Sequence, residues 1–256
     1  MRPAVIRWLS SLPHNIQSFV EPFAGGASVS LAVAQLDLSE NIVLSEIDEE
    51  LAAFWETVFS DSSLNLSVKI SEFLVLRADV RRLLRDPAVD KVDAAFKCLV
   101  RNRLQHGGVL APGAALLKSG ESNRGLASRW YPETLIRRIK ALQELRPKIQ
   151  FIHGDAFKVI EQYSCREDAV FFVDPPYTIN GNGPGKRLYR HSDVEVSTVF
   201  SCLRRAKGSF LLCYHNTAEI RELIAENCFS WVEVEMQSKH HVKRRELLIS
   251  NRGNLF

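Results

Sequence analysis

The run Ala169-Val170-Phe171-Phe172-Val173 ends abruptly at Asp174-Pro175-Pro176-Tyr177, and this junction constrains the chain more than any other feature. Five apolar residues without alternation fit a strand buried on both faces and are too few for a helix. Two successive prolines fix φ and remove two N–H donors, so neither a ladder nor a helix continues through them. Similar short apolar runs recur along the chain. Ser18 to Val20, Asn41 to Ile47, Gln150 to His153 and Ser209 to Cys213 read as strands, and Ser28 to Leu36 and Glu49 to Phe59 as helices. Trp231 to Met236 and Glu246 to Asn251 read as two closing strands. Strands alternating with helices predict an α/β fold with a doubly wound, mostly parallel sheet. The last two strands fit an antiparallel hairpin at its edge.

The rhythm lapses between about Thr57 and Lys148. A βα crossover needs only a short connection. Residues 57–148 are therefore expected to form an inserted helical subdomain, with an irregular Gly-rich loop from Gln105 to Ser128. Residues 1–56 and 149–256 would make the main domain. Charge divides in the same region. The whole chain has 33 Lys and Arg against 30 Asp and Glu, but Asp37 to Asp93 hold 13 acids and 6 bases, and Ala95 to Lys148 hold 11 bases and 3 acids. The tail is basic too, with Lys239, Lys243, Arg244, Arg245 and Arg252 against Glu246. Two basic stretches suggest patches facing a polyanion, with an ordinary solvated surface as the plainer alternative.

A hydrophobic share of 46% and a charged share of 25% exclude a disordered, coiled-coil or collagen-like chain. No apolar run approaches the roughly 20 residues of a membrane helix, and no signal peptide is expected. Five scattered cysteines without a CxxC pair point to reduced thiols in a cytoplasmic protein. The histidines lack companions at ligand spacing, so no metal is expected.

Three more motifs close strands. Val20-Glu21-Pro22-Phe23-Ala24-Gly25-Gly26-Ala27-Ser28 leads from a strand into a helix. Its glycines let the backbone approach a ligand, and the helix start offers N–H groups. Glu46, followed by Ile47, lies 20 residues after Gly26, where a carboxylate suits a ribose diol. Asp48 suits a helix N-cap better. In Gly154-Asp155-Ala156-Phe157 the acid can accept from an adenine amino group while Phe157 packs on a ring, although a helix N-cap explains Asp155 equally well. At the fourth junction, the Asp174 carboxylate and the Pro175 carbonyl are paired acceptors suited to an exocyclic amino group. Tyr177 offers a stacking face beside Pro176.

In this order the four motifs resemble the D12 class of adenine-N6 DNA methyltransferases, the Dam-like family. The resemblance covers nearly the whole chain. Phe23 to Gly26 looks like the family's S-adenosylmethionine loop, and Asp174, Pro175, Pro176 and Tyr177 like its catalytic motif. It implies a cofactor pocket of Glu21, Pro22, Phe23, Ala24, Gly25, Gly26, Glu46, Ile47, Asp155, Ala156 and Phe157, on a Rossmann-like methyltransferase sheet. Glu46 stands where the family usually has Asp. The helical insert falls where the family keeps its target-recognition domain. Asn102-Arg103 before Gly107-Gly108 resembles a stretch that meets DNA, and Tyr189, His191 and Glu246-Leu247-Leu248 also match family positions. Met1 to Trp8 is similar to the sequence that follows the family's opening Gly-Gly-Lys segment.

The implied reaction is direct methyl transfer to N6 of an adenine flipped out of double-stranded DNA. A basic, Gly-rich loop from Ile179 to Arg190 would close over the base. Arg101, Asn102, Arg103, Lys118, Arg124, Arg129, Lys186, Arg187 and Lys243 are the expected DNA contacts, and His240 and His241 would sit on a phosphate-facing hairpin. Trp130 and Tyr131 have an equal claim to be core. A cytoplasmic monomer is expected, with a restriction endonuclease as a further partner where the modification belongs to such a system. The rival readings are an RNA amino-methyltransferase and a DNA-binding protein on an impaired methyltransferase scaffold.

Overall fold

The computed structural model describes residues 2–13, 15–110, 114–176, 194–237, 243–253 and 255. Its described strands are β1 (Ser18–Glu21), β2 (Asn41–Glu46), β3 (Ile149–His153), β4 (Ala169–Val173), β5 (Ser209–His215), β6 (Ser230–Gln237) and β7 (Lys243–Ser250). They form one sheet in the order β3-β2-β1-β4-β5-β7-β6. The first five strands of that order are mutually parallel, and β7 runs antiparallel to both β5 and β6. The chain winds outward from β1 through β2 to β3, then returns to β4 on the other side of β1. The strand order therefore reverses between β1 and β4, and ligands of such sheets bind outside the carboxyl ends at that point.

The helices of this part are α1 (Arg2–Ser10) and α2 (Ser28–Gln35), and, after the last helix of the insert, α8 (Ala156–Tyr163), α9 (Val196–Arg204) and α10 (Ala218–Glu226). Both faces of the sheet are covered, which explains the unalternating apolar strands. All five residues of β4 are buried, and so are the first six of β5. Phe171 and Val173 pack with Val159, Ile160, Phe200, Leu203, Ile220 and Ile224 of α8, α9 and α10. Each fully buried Phe contributes about 2–3 kcal/mol of apolar transfer energy.

The largest differences from the sequence reading are in β5 and β7. β5 runs on to His215 and β7 begins at Lys243, because antiparallel pairing extends to His215↔Glu246 and to Gln237↔Lys243. The closing hairpin also enters the sheet with its second strand inward, so β6 is the edge. α1 went unread, although Val5, Trp8 and Leu9 have the spacing of one buried helix face.

The chain divides into two compact units. Among the described residues, the first is Met1–Glu46 with the chain from Lys148 onward, and the second is Ile47–Pro147. The second holds α3 (Glu49–Val58), α4 (Ser63–Glu72), α5 (Arg77–Arg85), α6 (Lys91–Leu104) and α7 (Pro132–Gln143). The packing boundary thus falls at Ile47, ahead of residue 57, because α3 packs on α6. Phe73, Phe96 and Trp130 meet edge to face at 5.1–6.1 Å, which makes Trp130 core, whereas Tyr131 is 43% exposed. Among the described residues, no helix is long and apolar enough to cross a membrane.

Candidate functional site

The site is built from the carboxyl ends of β3, β2, β1 and β4, which lie side by side in that order. β1 ends in Glu21, which is only 4% exposed. Its Oε2 accepts from the Ser30 N–H at 3.0 Å. That bond caps α2 from the preceding strand. α2 needs it, because its own N-cap position is Ala27, with a left-handed backbone and no side-chain cap. Burial pushes the Glu21 carboxyl up to about 8; hydrogen bonding to Ser30 pulls it down, and Asp174 adds to the rise.

The corner between β1 and α2 is held by the end of β2. The Ser45 hydroxyl donates to the Pro22 carbonyl at 2.7 Å, and the Ala24 N–H donates to the Ser45 carbonyl at 2.9 Å. Gly25 has φ +47° and donates its N–H to Glu46 Oε2 at 3.0 Å. Glu46 is thus aimed at the glycine corner. Its carbonyl accepts from the Gly154 N–H at 3.0 Å, which ties the corner after β3 to the same point. A Cβ built on Gly25 or Gly26 meets nothing within 4 Å, so the loop borders open space. A ligand has room to approach the protein backbone there, as a cradle for S-adenosylmethionine requires.

Asp155 is the N-cap of α8 and accepts from the Phe157 N–H at 2.7 Å. Asp48 caps α3 in the same way, accepting from Leu51. A carboxylate has about four acceptor positions, so the cap bond leaves Asp155 capacity toward a ligand. Ala156 is buried, and the half-buried Phe157 ring meets Phe23 edge-on at 6.0 Å, joining the corners after β1 and β3. Ile47 is 43% exposed and starts the second unit.

Beyond β4, Asp174 is exposed, Pro175 buried and Pro176 half-buried. Asp174 is close enough to raise the titration of both Glu21 and the buried Cys213 of β5. The carboxylate therefore stands at the switch point, against the Glu21 end of the cofactor corner. Ser30, Ser45 and Cys213 complete this site and were not among the expected site residues. Their link to Glu21, Pro22 and Asp174 is set by strand pairing and not by local pattern.

The expected DNA contacts separate into groups. Arg101 is corrected by the structure. It is 7% exposed, with Nε on Glu50 Oε2 at 2.8 Å and Nη2 on the Leu84 carbonyl at 3.2 Å, so it frames the helical unit from within. Arg103 and Arg129 clasp each other's segments. Arg103 Nε donates to the Arg129 carbonyl at 2.8 Å, and Arg129 Nη2 to the Asn102 carbonyl at 2.7 Å. Asn102, Lys118 and Arg124 are exposed. Tyr177, Lys186, Arg187, Tyr189, His191, His240 and His241 lie outside the described residues, as does the Lys243 side chain.

The family model of the D12 class N6 adenine-specific DNA methyltransferases matches residues 4–240. A curated relative, the Type II methyltransferase M.MjaIII of Methanocaldococcus jannaschii, is 26% identical over 177 residues. The match takes in 64% of this chain and 59% of that protein, so the chain spans less than two thirds of its relative's length. Among solved structures, the human methyltransferase 10 domain containing protein aligns at a TM-score of 0.45 and 9% identity, covering 97% of this chain and 80% of that one. The B. subtilis M1A22 tRNA methyltransferase TrmK aligns at 0.41 and 11%, covering 100% and 68%. Likenesses at these scores lend no weight to the site.

Proposed function

Because the chain belongs to the D12 class N6 adenine-specific DNA methyltransferase family and its cofactor is S-adenosylmethionine, we propose that it methylates the exocyclic N6 of a specific adenine in duplex DNA, flipped out of the stack. We place it in the cytoplasm as a monomer, in a restriction-modification, phage or solitary setting. The observation that carries this reading is the row of groups over the switch point. Glu21, the open glycine corner, Glu46 and Asp155 lie on one side, and Asp174-Pro175 on the other.

S-adenosylmethionine supplies a methyl group made electrophilic by positive sulfur. The chain does the rest by placement. Gly25 and Gly26 would let the protein backbone approach the cofactor closely, and Glu46, already aimed by the Gly25 N–H, would accept from the ribose hydroxyls. Asp155 would accept from the cofactor's adenine amino group, with the Phe23–Phe157 pair available to flank the ring. N6 of the target adenine is a poor nucleophile because its lone pair is delocalised into the ring. Asp174 and the Pro175 carbonyl would accept hydrogen bonds from its two N–H groups, which favours a tetrahedral nitrogen with an available lone pair. Orientation and fixed acceptors in a restricted site account for the acceleration. The stacking role that the resemblance gives Tyr177 falls outside the described residues.

Modification-sensitive sequencing of DNA from a methylation-free bacterial host expressing the chain tests the proposal. N6-methyladenine at one recurring short motif supports it and gives the target site. Unmodified DNA from cells holding folded, cofactor-binding protein overturns it.

A further inference from the structure

Glu21 is a carboxyl group set where a negative charge is costly. It lies at the buried end of β1, with Oε2 on the Ser30 N–H. β2, β4 and α2 pack against β1. β2 ends in Glu46, β4 runs into Asp174, and α2 has no titratable side chain. Cys213 of β5, beyond β4, is a further acid whose ionisation is opposed by burial, Asp174, Glu246 and Glu21 and eased by the positive amino terminus. No Lys, Arg or His occurs in β1, β2, β4 or α2. Desolvation and neighbouring acids thus act together on this group. Burial is the larger cause of its rise to about 8, and Asp174 adds to it. The Ser30 N–H, at the positive end of α2, leaves the ionised form within reach when a cation arrives.

We propose that Glu21 is a proton-linked anchor for the methyl donor: protonated in the free protein at neutral pH, it releases its proton to solvent when S-adenosylmethionine binds and stands as a carboxylate against the sulfonium. The inference rests on the methyltransferase reading above. Its balance is one proton released for each sulfonium bound. Methyl transfer turns the sulfonium into a neutral thioether and frees one proton from adenine N6. With the positive sulfur gone, Glu21 takes one proton back from solvent. The carboxylate thereby favours the methyl donor over the spent S-adenosylhomocysteine.

The sign follows from the direction of the shift. Apparent affinity for S-adenosylmethionine rises about tenfold from pH 6 to pH 7 and levels off above about pH 8. Affinity for S-adenosylhomocysteine lacks this Glu21-dependent limb. The test is calorimetric titration of the full chain with each ligand at pH 7, in two buffers of different ionisation enthalpy, for wild type and E21Q. Wild type should release close to one more proton with S-adenosylmethionine than with S-adenosylhomocysteine. E21Q, which keeps an oxygen for the Ser30 N–H, should lose that difference. Should E21Q not fold, isotope-edited infrared spectroscopy of wild type serves instead. A buried protonated carboxyl band should vanish on adding S-adenosylmethionine and persist with S-adenosylhomocysteine. Binding of both ligands with equal proton release, or absence of that band from the free protein, overturns the inference and leaves the methyltransferase reading standing. Failure of folded protein to bind either ligand overturns both.

Discussion

Gly26 separates cofactor binding from folding. A Cβ at this position meets nothing within 4 Å, and Gly26 is not among the residues with positive φ. Gly26→Ala is therefore unstrained. Reduced freedom of the unfolded chain stabilises it by about 0.4–1 kcal/mol, which raises Tm by roughly 1–4 °C for a chain of this size. Gly25→Ala, one residue earlier at φ +47°, goes the other way. Its left-handed backbone costs about 1–2 kcal/mol, or roughly 2–8 °C. Cofactor affinity ranks them differently. A methyl group placed into a close contact costs about 1–3 kcal/mol, so Gly26→Ala should weaken S-adenosylmethionine by roughly 5- to 150-fold while melting higher. Thermal denaturation without ligand and a binding titration read the two quantities separately. Wild-type affinity in Gly26→Ala refutes the glycine corner as the cofactor cradle. A marked loss of Tm refutes the open space above it.

Asp174→Asn keeps the size of the side chain but exchanges an acceptor oxygen for an NH2; turnover should disappear while S-adenosylmethionine still binds, and retained turnover would sink the proposed hold on N6. Arg101→Ala removes the ion-pair partner of the largely buried Glu50 carboxylate and should cost about 3 kcal/mol by denaturant titration. It should leave the salt slope of DNA binding unchanged, whereas a slope lowered by roughly one would show that Arg101 meets a phosphate. Gly120 has φ +68°, and a Cβ there overlaps the Gly125 carbonyl and the Ser128 side chain, so Gly120→Ala should destabilise by about 2 kcal/mol or more; an unchanged Tm contradicts that packing. Glu21 titrates at about 8 when folded, against 4.5 ordinarily, so the folded state holds a proton that the unfolded chain gives up. Its contribution is full below about pH 4.5 and is lost as pH rises through about 8. A pH series of melting temperatures for ligand-free wild type should show this decline relative to E21Q, and parallel curves would contradict it.

The parts of the fold legible in sequence are those fixed locally. β4 could be read because it is apolar on both faces and stops at two prolines. Asp48 and Asp155 could be read as N-caps, each just ahead of its helix. The Glu21–Ser30 bond could not, because it joins a strand end to the third residue of a helix across a corner that exists only once the chain has folded. The aim of Glu46 at Gly25 depends equally on the parallel register of β1 with β2. α1 is hard to read although its spacing is present, since nine residues give only about two and a half turns of evidence.

Charge shows the same limit in its clearest form. The excess of bases between residues 95 and 148 reads in sequence as a surface. In the structure Lys97 and Arg101 are buried, and Lys97 donates to the Asp86 carbonyl while Arg101 pairs with Glu50. Arg103 holds the Arg129 carbonyl, Arg129 holds the Asn102 carbonyl, and Arg146 pairs with Asp61. Glu50, Asp61 and Asp86 all come from the acidic stretch, so part of the alternation between an acidic and a basic segment is one helical unit closing on itself. A buried arginine carries no less charge in a sequence count than an exposed one, but only the exposed one can exchange its counterions for phosphates. Apart from Arg146, which pairs with Asp61, the exposed cations of the stretch are Lys118 and Arg124, within the Gly-rich segment, and Arg137, Arg138 and Lys140 on α7. A phosphate-facing surface on this unit has to be drawn from these residues, and three of the five lie on a helix that the motif reading passed over.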